Sequence, residues 1–283
     1  MNHKKTIHTD AITQTIVDLI FQCSFTFPPE MTELLRDMRN CEELEIARGS
    51  LDILSRNAEI AAEERIPLCQ DCGIVTVFLE IGQDALIEGI PLVEAVNGAV
   101  AQAYAKFYLR KSVVGDPLRR LNTGTNTPCF IHTDIVAGDT VKVTVYLKGG
   151  GSENMGALKM FRPTSGIDEI LQFIENHVIE AGPNPCPPLF LGIGIGGTAD
   201  AAVLNSKKAV LRGIGSIHPD PAYADLEAKI KARLNKTGVG PLGFGGISTV
   251  AAVYIKEAPT HIATLPVALN LNCHSLRYGE ALL

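Results

Sequence analysis

A single mixed α/β domain over residues 1–283, helical at its N-terminus and built beyond that from β-sheets flanked by helices, is the fold class the sequence predicts. Apolar residues recur at helical spacing through roughly the first sixty positions. Beyond them, compact β-branched runs alternate with helical stretches. No internal repeat, low-complexity linker or clear domain boundary interrupts the chain.

The elements follow in order. Residues 9–62 read as helices, with Ile12, Ile16, Leu19 and Ile20 on one face of the first. Pro28 and Pro29 open the second, because proline is tolerated in a first helical turn. Residues 40–62 form the third. Cys23 and Cys41 in this region read as ordinary thiols of a packed helix layer. Residues 74–80 are a strand, which makes Cys69-Gln70-Asp71 a loop delivering into it. A long helix is expected over 91–110, closed by Arg110 and Lys111 as the helix dipole favours. Residues 129–136 and 140–148 suggest an antiparallel pair joined by Ala137-Gly138-Asp139. Residues 166–181 are helical and 189–195 an apolar strand. Helices at 198–212 and 221–236 and strands at 247–256 and 260–271 complete the chain.

Composition excludes several function classes. A net charge of −6 lacks the basic surface that phosphate neutralisation requires, which argues against nucleic-acid binding. No apolar run approaches the ~20 residues of a membrane span. The start Met1-Asn2-His3-Lys4-Lys5 is basic, but no apolar stretch follows it, so a cytoplasmic protein is expected. Seven scattered cysteines are odd in number and suit a reducing compartment better than a disulfide framework. Twenty-six glycines and no tryptophan favour backbone-lined surfaces for small anions.

Three cysteines stand apart from any packing pattern. Cys69 lies in Pro67-Leu68-Cys69-Gln70-Asp71, Cys186 in Pro185-Cys186-Pro187-Pro188 and Cys273 in Asn270-Leu271-Asn272-Cys273-His274, 117 and 87 residues apart. Prolines on both sides keep Cys186 out of regular helix or strand. Two readings remain open at this point. One is three unrelated thiols; the other is three soft ligands converging on a metal centre with one open position.

Other segments carry their own alternatives. Cys72 makes a C-x-x-C with Cys69, compatible with a zinc-stabilised interaction subunit or a redox dithiol. Gly149, Gly150 and Gly151 follow Lys148 at a strand end and are either a turn or a backbone cradle for an anion. Residues 192–197 satisfy G-x-G-x-x-G, but the acidic residue expected after a dinucleotide fingerprint is missing, and a close strand-to-helix turn fits better. Asp71, Arg110 and His261 are candidates for ordering a metal-bound substrate, clamping a carboxylate and moving a proton, against capping, solvated and core roles.

Taken together, PLCQDCG, RKSVVGDPLRRLNTGTNTP, IHTDIVAGD, KGGGSENMGALKMFRPTSG, AGPNPCPPLFLGIGIGGT and PTHIATLPVALNLNCHS resemble the iron–sulfur class I fumarate hydratase and L-tartrate dehydratase family, in its cluster-binding α-subunit half. The resemblance implies a [4Fe–4S] cluster on Cys69, Cys186 and Cys273 with one iron left open as a Lewis acid. It implies Asp71 and His261 as catalytic residues, and Gln70, Arg110, Gly149, Gly150 and Gly151 as substrate contacts. It further implies a separate β subunit carrying the catalytic base, in an α2β2 assembly or on a homodimer of α, with a small dicarboxylate as substrate. Fumarate and L-malate are the expected pair, with L(+)-tartrate the alternative. The chain departs from the pattern at Cys72, where the family commonly has threonine, and at Cys129, where a small apolar residue is usual.

Overall fold

The structure is a computed structural model and describes residues 5–283, so residues 1–4 of the basic start lie outside the described residues. In chain order the first elements are β1 (Thr6–His8), α1 (Thr9–Phe25), α2 (Pro29–Cys41), α3 (Glu45–Glu64), β2 (Ile74–Gly82), β3 (Leu86–Glu88), α4 (Leu92–Lys106), β4 (Phe130–Val136) and β5 (Val141–Lys148). There follow α5 (Gly150–Glu153), β6 (Ala157–Phe161), α6 (Ile167–Ala181), β7 (Leu189–Gly196), α7 (Ala199–Ala209), α8 (Pro221–Leu234), β8 (Val250–Ala258), β9 (Leu265–Asn272) and β10 (Arg277–Leu282). This is the mixed α/β class that the sequence predicts.

Two compact units share the chain. Among the described residues, one comprises 5–27, 58–150 and 277–283, the other 28–57 and 151–276. Each is assembled from separated stretches, and a sequence with no linker is the consequence.

The first unit is built on a sheet ordered β10-β5-β2-β4. Strand β2 is central and buried along most of its length, and it pairs antiparallel with β5 and parallel with β4. Ile12, Ile16 and Ile20 of α1 and Val96, Val100 and Tyr104 of α4 join Val75, Val77, Val143 and Val145 in its core. Each such aliphatic side chain removed from water contributes about 1.5–3 kcal/mol.

In the second unit the order is β6-β9-β7-β8. Strand alternation divides β7 into two faces. Leu189, Leu191 and Ile193 enter a core with Ile170 and Ile174 of α6 and Ile230 of α8. Gly192 and Gly194 face α7 so closely that a Cβ would collide with the carbonyl oxygens of Ser206 and Ala202. The glycine-rich 192–197 stretch is therefore a helix-on-strand packing device.

Several expected boundaries move. The 129–136 and 140–148 segments are strands but not partners, because β2 lies between them. The intervening turn wraps the end of β2 instead, with Gly82 N–H on Thr140 O and Asp84 N–H on Gly138 O. Strand β2, buried from Val75 to Leu79, takes the place between them. The 91–110 helix stops at Lys106; Tyr108 adopts φ 55°, which carries Arg110 out into a loop. Residues 40 and 41 belong to α2, and the Glu42 carboxylate caps the N–H groups of Glu43 and Leu44 before α3 begins. Residues 260–264 form a turn ahead of β9, closed by Thr264 N–H on His261 O. The short strands β1, β3 and β6 and the closing strand β10 have no counterpart in the sequence reading.

Candidate active site

The Cys69 loop leaves the end of α3 and enters β2. Leu68 anchors it, being buried and donating its N–H to Ser24 O at 2.8 Å. Cys69 is half-buried and its Sγ accepts the Asp71 N–H at 3.4 Å, while Gln70 is exposed with Oε1 3.4 Å from the same sulfur. Gly73, at φ 83°, turns the chain into β2 where a Cβ would strike Lys148 O.

Asp71 gathers donors from three segments. Oδ1 accepts the Gly73 N–H at 3.0 Å and lies 3.3 Å from Arg110 Nη2. Oδ2 accepts the Gly150 N–H at 2.8 Å. Gly149 stands so near that a Cβ there would come within 3.1 Å of Oδ2. Thus the anion facing Gly149 and Gly150 is the chain's own carboxylate. Lys148 is buried.

Arg110 keeps a guanidinium that is 56% exposed, with donors beyond the one turned to Asp71. Its backbone N–H donates to Cys72 Sγ at 3.1 Å. Cys72 lies in the apolar core; burial pushes its thiol up, against the lowering effect of the Arg110 N–H. Tyr104, raised by burial, donates its hydroxyl to Cys72 O at 2.8 Å and Gly73 O at 3.0 Å. Asn126, fully buried, donates to Gly73 O and accepts the Ser112 N–H at 2.7 Å.

In the second unit Cys186 is exposed on a left-handed residue, φ 55°, between Pro185 and Pro187. A non-glycine residue held there is strained, and the loop is held by others. Cys186 N–H donates to Pro183 O at 2.9 Å, and Leu242 N–H to Pro187 O at 2.8 Å. The carbonyl of Cys186 accepts both the N–H and the Nδ1–H of His274, each at 3.1 Å. Since Cys273 immediately precedes His274, this clamp ties two of the three singled-out cysteines together. Cys273 is half-buried with Sγ 3.5 Å from Ser275 O. Gly151 approaches the same loop, where a Cβ would stand 3.1 Å from Asn184 O.

His261 is exposed on the turn before β9, and its Nδ1 accepts the Ala263 N–H at 3.1 Å. The neutral ring therefore presents Nε2–H outward. Thr260 fixes the turn by donating to Gly197 O at 2.9 Å.

Residues 13–281 match the family described as fumarate hydratase (Fumerase). The chain belongs to that family. A Methanocaldococcus jannaschii protein provisionally named L(+)-tartrate dehydratase subunit alpha is 38% identical over 268 residues, covering 93% of this chain and 94% of that one. The L(+)-tartrate dehydratase subunit alpha of Escherichia coli O157:H7 is 31% identical over 275 residues, covering 96% and 90%. That of Escherichia coli K12 is 30% identical with the same coverage. Fumarate hydratases and tartrate dehydratases alike move water across a bond beside carboxylates, so the chemistry of this family is that of hydro-lyases.

For a member of the fumarate hydratase family, the donor set here fits an iron–sulfur cluster. Cys69, Cys186 and Cys273 are free thiols at irregular loops, each open to solvent at least in part. Cys23, Cys72 and Cys129 are buried, and burial pushes Cys23 up to about 12 and Cys129 up to about 11, which keeps them protonated. Among the described residues no three His, Cys, Asp or Glu side chains gather as the ligands of one ion. No helix among the described residues is long and apolar enough to cross a membrane.

Sequence reasoning missed His274, Tyr104 and Asn126. His274 had one signal, its place beside Cys273. Asn126 sits inside a recognised motif without a chemistry that singles it out, and Tyr104 has no local signal.

Proposed function

We propose that the chain is the α subunit of an iron–sulfur hydro-lyase that interconverts fumarate and L-malate together with a separate β subunit, acting as one cluster-binding domain in the cytoplasm. The observation that carries this reading is the Asp71–Arg110 pair beside Cys69. Cys69, Cys186 and Cys273 would hold a [4Fe–4S] cluster. When bound, it would supply an open Lewis-acidic iron that polarises the leaving hydroxyl.

The chain's own residues supply binding and orientation. Arg110 directs its remaining N–H donors to one substrate carboxylate, the geometry in which guanidinium binds best. Asp71 holds that guanidinium and the Gly149-Gly150 turn in one arrangement, a contribution of orientation. Gln70 presents an amide to the substrate from an exposed position. Gly151 keeps the backbone close to the Cys186 loop. His261 exchanges a proton with the substrate oxygen at Nε2. Removal of the carbon-bound proton falls to a base on the β subunit, so the α chain alone is inactive.

L(+)-tartrate is the second reading, favoured by the names of the relatives. The test is an anaerobic assay of the iron-loaded chain with its β subunit on L-malate and on L(+)-tartrate. Fumarate formation at the higher kcat/KM supports the first reading and oxaloacetate formation the second. Turnover of neither substrate overturns both.

A further inference from the structure

Between Arg110 and Cys129 the chain projects an irregular hairpin that nothing in the reaction uses. Val114 and Asn122 form an antiparallel bridge. Gly115 N–H meets Leu121 O at 2.8 Å and Thr123 N–H meets Val113 O at 2.9 Å. At the tip, Asp116 Oδ1 accepts the N–H groups of Leu118 and Arg119 at 3.0 and 2.7 Å. Arg120, at φ 58°, reverses the chain and donates its N–H to Asp116 O. The foot is pinned by Asn126, which accepts the N–H groups of Ser112 and Val113, and by Asn122, which donates to Lys111 O.

This defined backbone carries apolar side chains away from any core. Leu118 is 90% exposed and Leu121 74%. Arg119 and Arg120 lie between them and are exposed too. Residues 110–120 hold four basic groups (Arg110, Lys111, Arg119, Arg120) and one acidic group, in a chain of net charge −6. An element whose hydrogen bonds fix its shape before contact loses little entropy on binding. The exposed leucines offer apolar area to bury, and arginine is a residue type enriched at interface hot spots.

We propose that this hairpin is a docking arm, inserting Leu118 and Leu121 into an apolar pocket rimmed by carboxylates on the β subunit. The proposal rests on the two-subunit reading above. Arg110 at the foot makes the arm continuous with the candidate site, so a partner that completes the site is the occupant that would meet it. Charge on Arg119 and Arg120 would steer the encounter and burial of the leucines would hold it.

The test measures binding of purified β subunit to the iron-loaded chain, its affinity by calorimetry and its association rate by stopped-flow at several salt concentrations. A Leu118→Ser/Leu121→Ser variant should weaken binding by about ten-fold or more. An Arg119→Glu/Arg120→Glu variant should slow association and reduce its salt dependence. Ile179→Ser, a control at another exposed aliphatic on α6, should bind as wild type. Iron content and circular dichroism should be unchanged in all three. Should the leucine variant lose its fold, the arginine variant decides through its association rate. Wild-type affinity in the leucine variant together with a wild-type association rate in the arginine variant overturns the docking arm and leaves the two-subunit reading intact. No binding by the unaltered chain overturns that reading and the arm with it. A dimer of the chain alone that the leucine variant makes monomeric assigns the arm to a second copy and overturns the β-subunit occupant.

Discussion

The backbone N–H of Arg110 donates to the buried Sγ of Cys72 at 3.1 Å, so a core thiol fixes where the guanidinium of the candidate site begins. The same thiol lies 3.8 Å from Cys69 O, and its carbonyl receives the Tyr104 hydroxyl. Cys72 therefore links the proposed ligand loop to the proposed carboxylate clamp from beneath. This is a positioning role for the very residue that departs from the family pattern.

Replacing Cys72 with alanine should leave the Arg110 N–H without its acceptor and open a small void beside Tyr104. A cost of about 1–3 kcal/mol in unfolding free energy is expected. KM for the dicarboxylate should rise more than kcat falls. Threonine, the usual family residue, restores an acceptor and should recover most of the wild-type KM. Urea unfolding and steady-state kinetics of both variants check this.

Asp71→Asn removes the charge that holds Arg110 and keeps one acceptor where two oxygens now serve. Loosening the clamp should lower kcat/KM by about 100-fold, the scale of a lost orienting contact. The fold should survive, since Tyr104 and Asn126 still bond the Gly73 carbonyl. Kinetics together with circular dichroism separate the two effects.

Alkylation at neutral pH should sort the seven cysteines by environment. Cys41 and Cys186 are exposed and should react first, then the half-buried Cys69 and Cys273. Cys23, Cys72 and Cys129, protonated and buried, should react only after unfolding. Loading with iron and sulfide should protect Cys69, Cys186 and Cys273 and leave Cys41 reactive. Peptide mass spectrometry reads each site separately.

Acid should weaken the second unit through Glu42. Burial alone would raise its pKa, but hydrogen bonds from Ser248, Ile247, Glu43 and Leu44 outweigh that and hold it below the ordinary 4.5. A depressed carboxylate stabilises fully above its unfolded pKa, and the contribution is lost as pH falls through the folded value. Glu42→Gln should lower stability at pH 7 and flatten the loss between pH 7 and the acid limb. Denaturant midpoints across that range measure the slope.

The helical N-terminal region, the central strand β2 and the β7-to-α7 turn were legible because apolar period and glycine spacing are local signals. Partnering was not. The 129–136 and 140–148 segments look like a hairpin locally, and the insertion of β2 between them is a long-range pairing that leaves no local signal. Arg110 stands out in the sequence as a candidate at a helix end, since nothing local announces the left-handed Tyr108 that turns the chain. The cysteines were visible as outliers from pattern, whereas the His274 clamp on the Cys186 carbonyl joins positions 88 residues apart. Such long-range bonds leave no periodicity to read.

The most direct test of the central claim is the iron bound by the purified chain after anaerobic reconstitution with iron and sulfide, compared with that of Cys186→Ser. The account predicts about four irons and the broad visible absorbance of a thiolate-bound cluster in the wild type. It predicts loss of that cluster in the variant. A full four-iron cluster retained by Cys186→Ser, or a wild-type chain that takes up zinc and no iron, would contradict it.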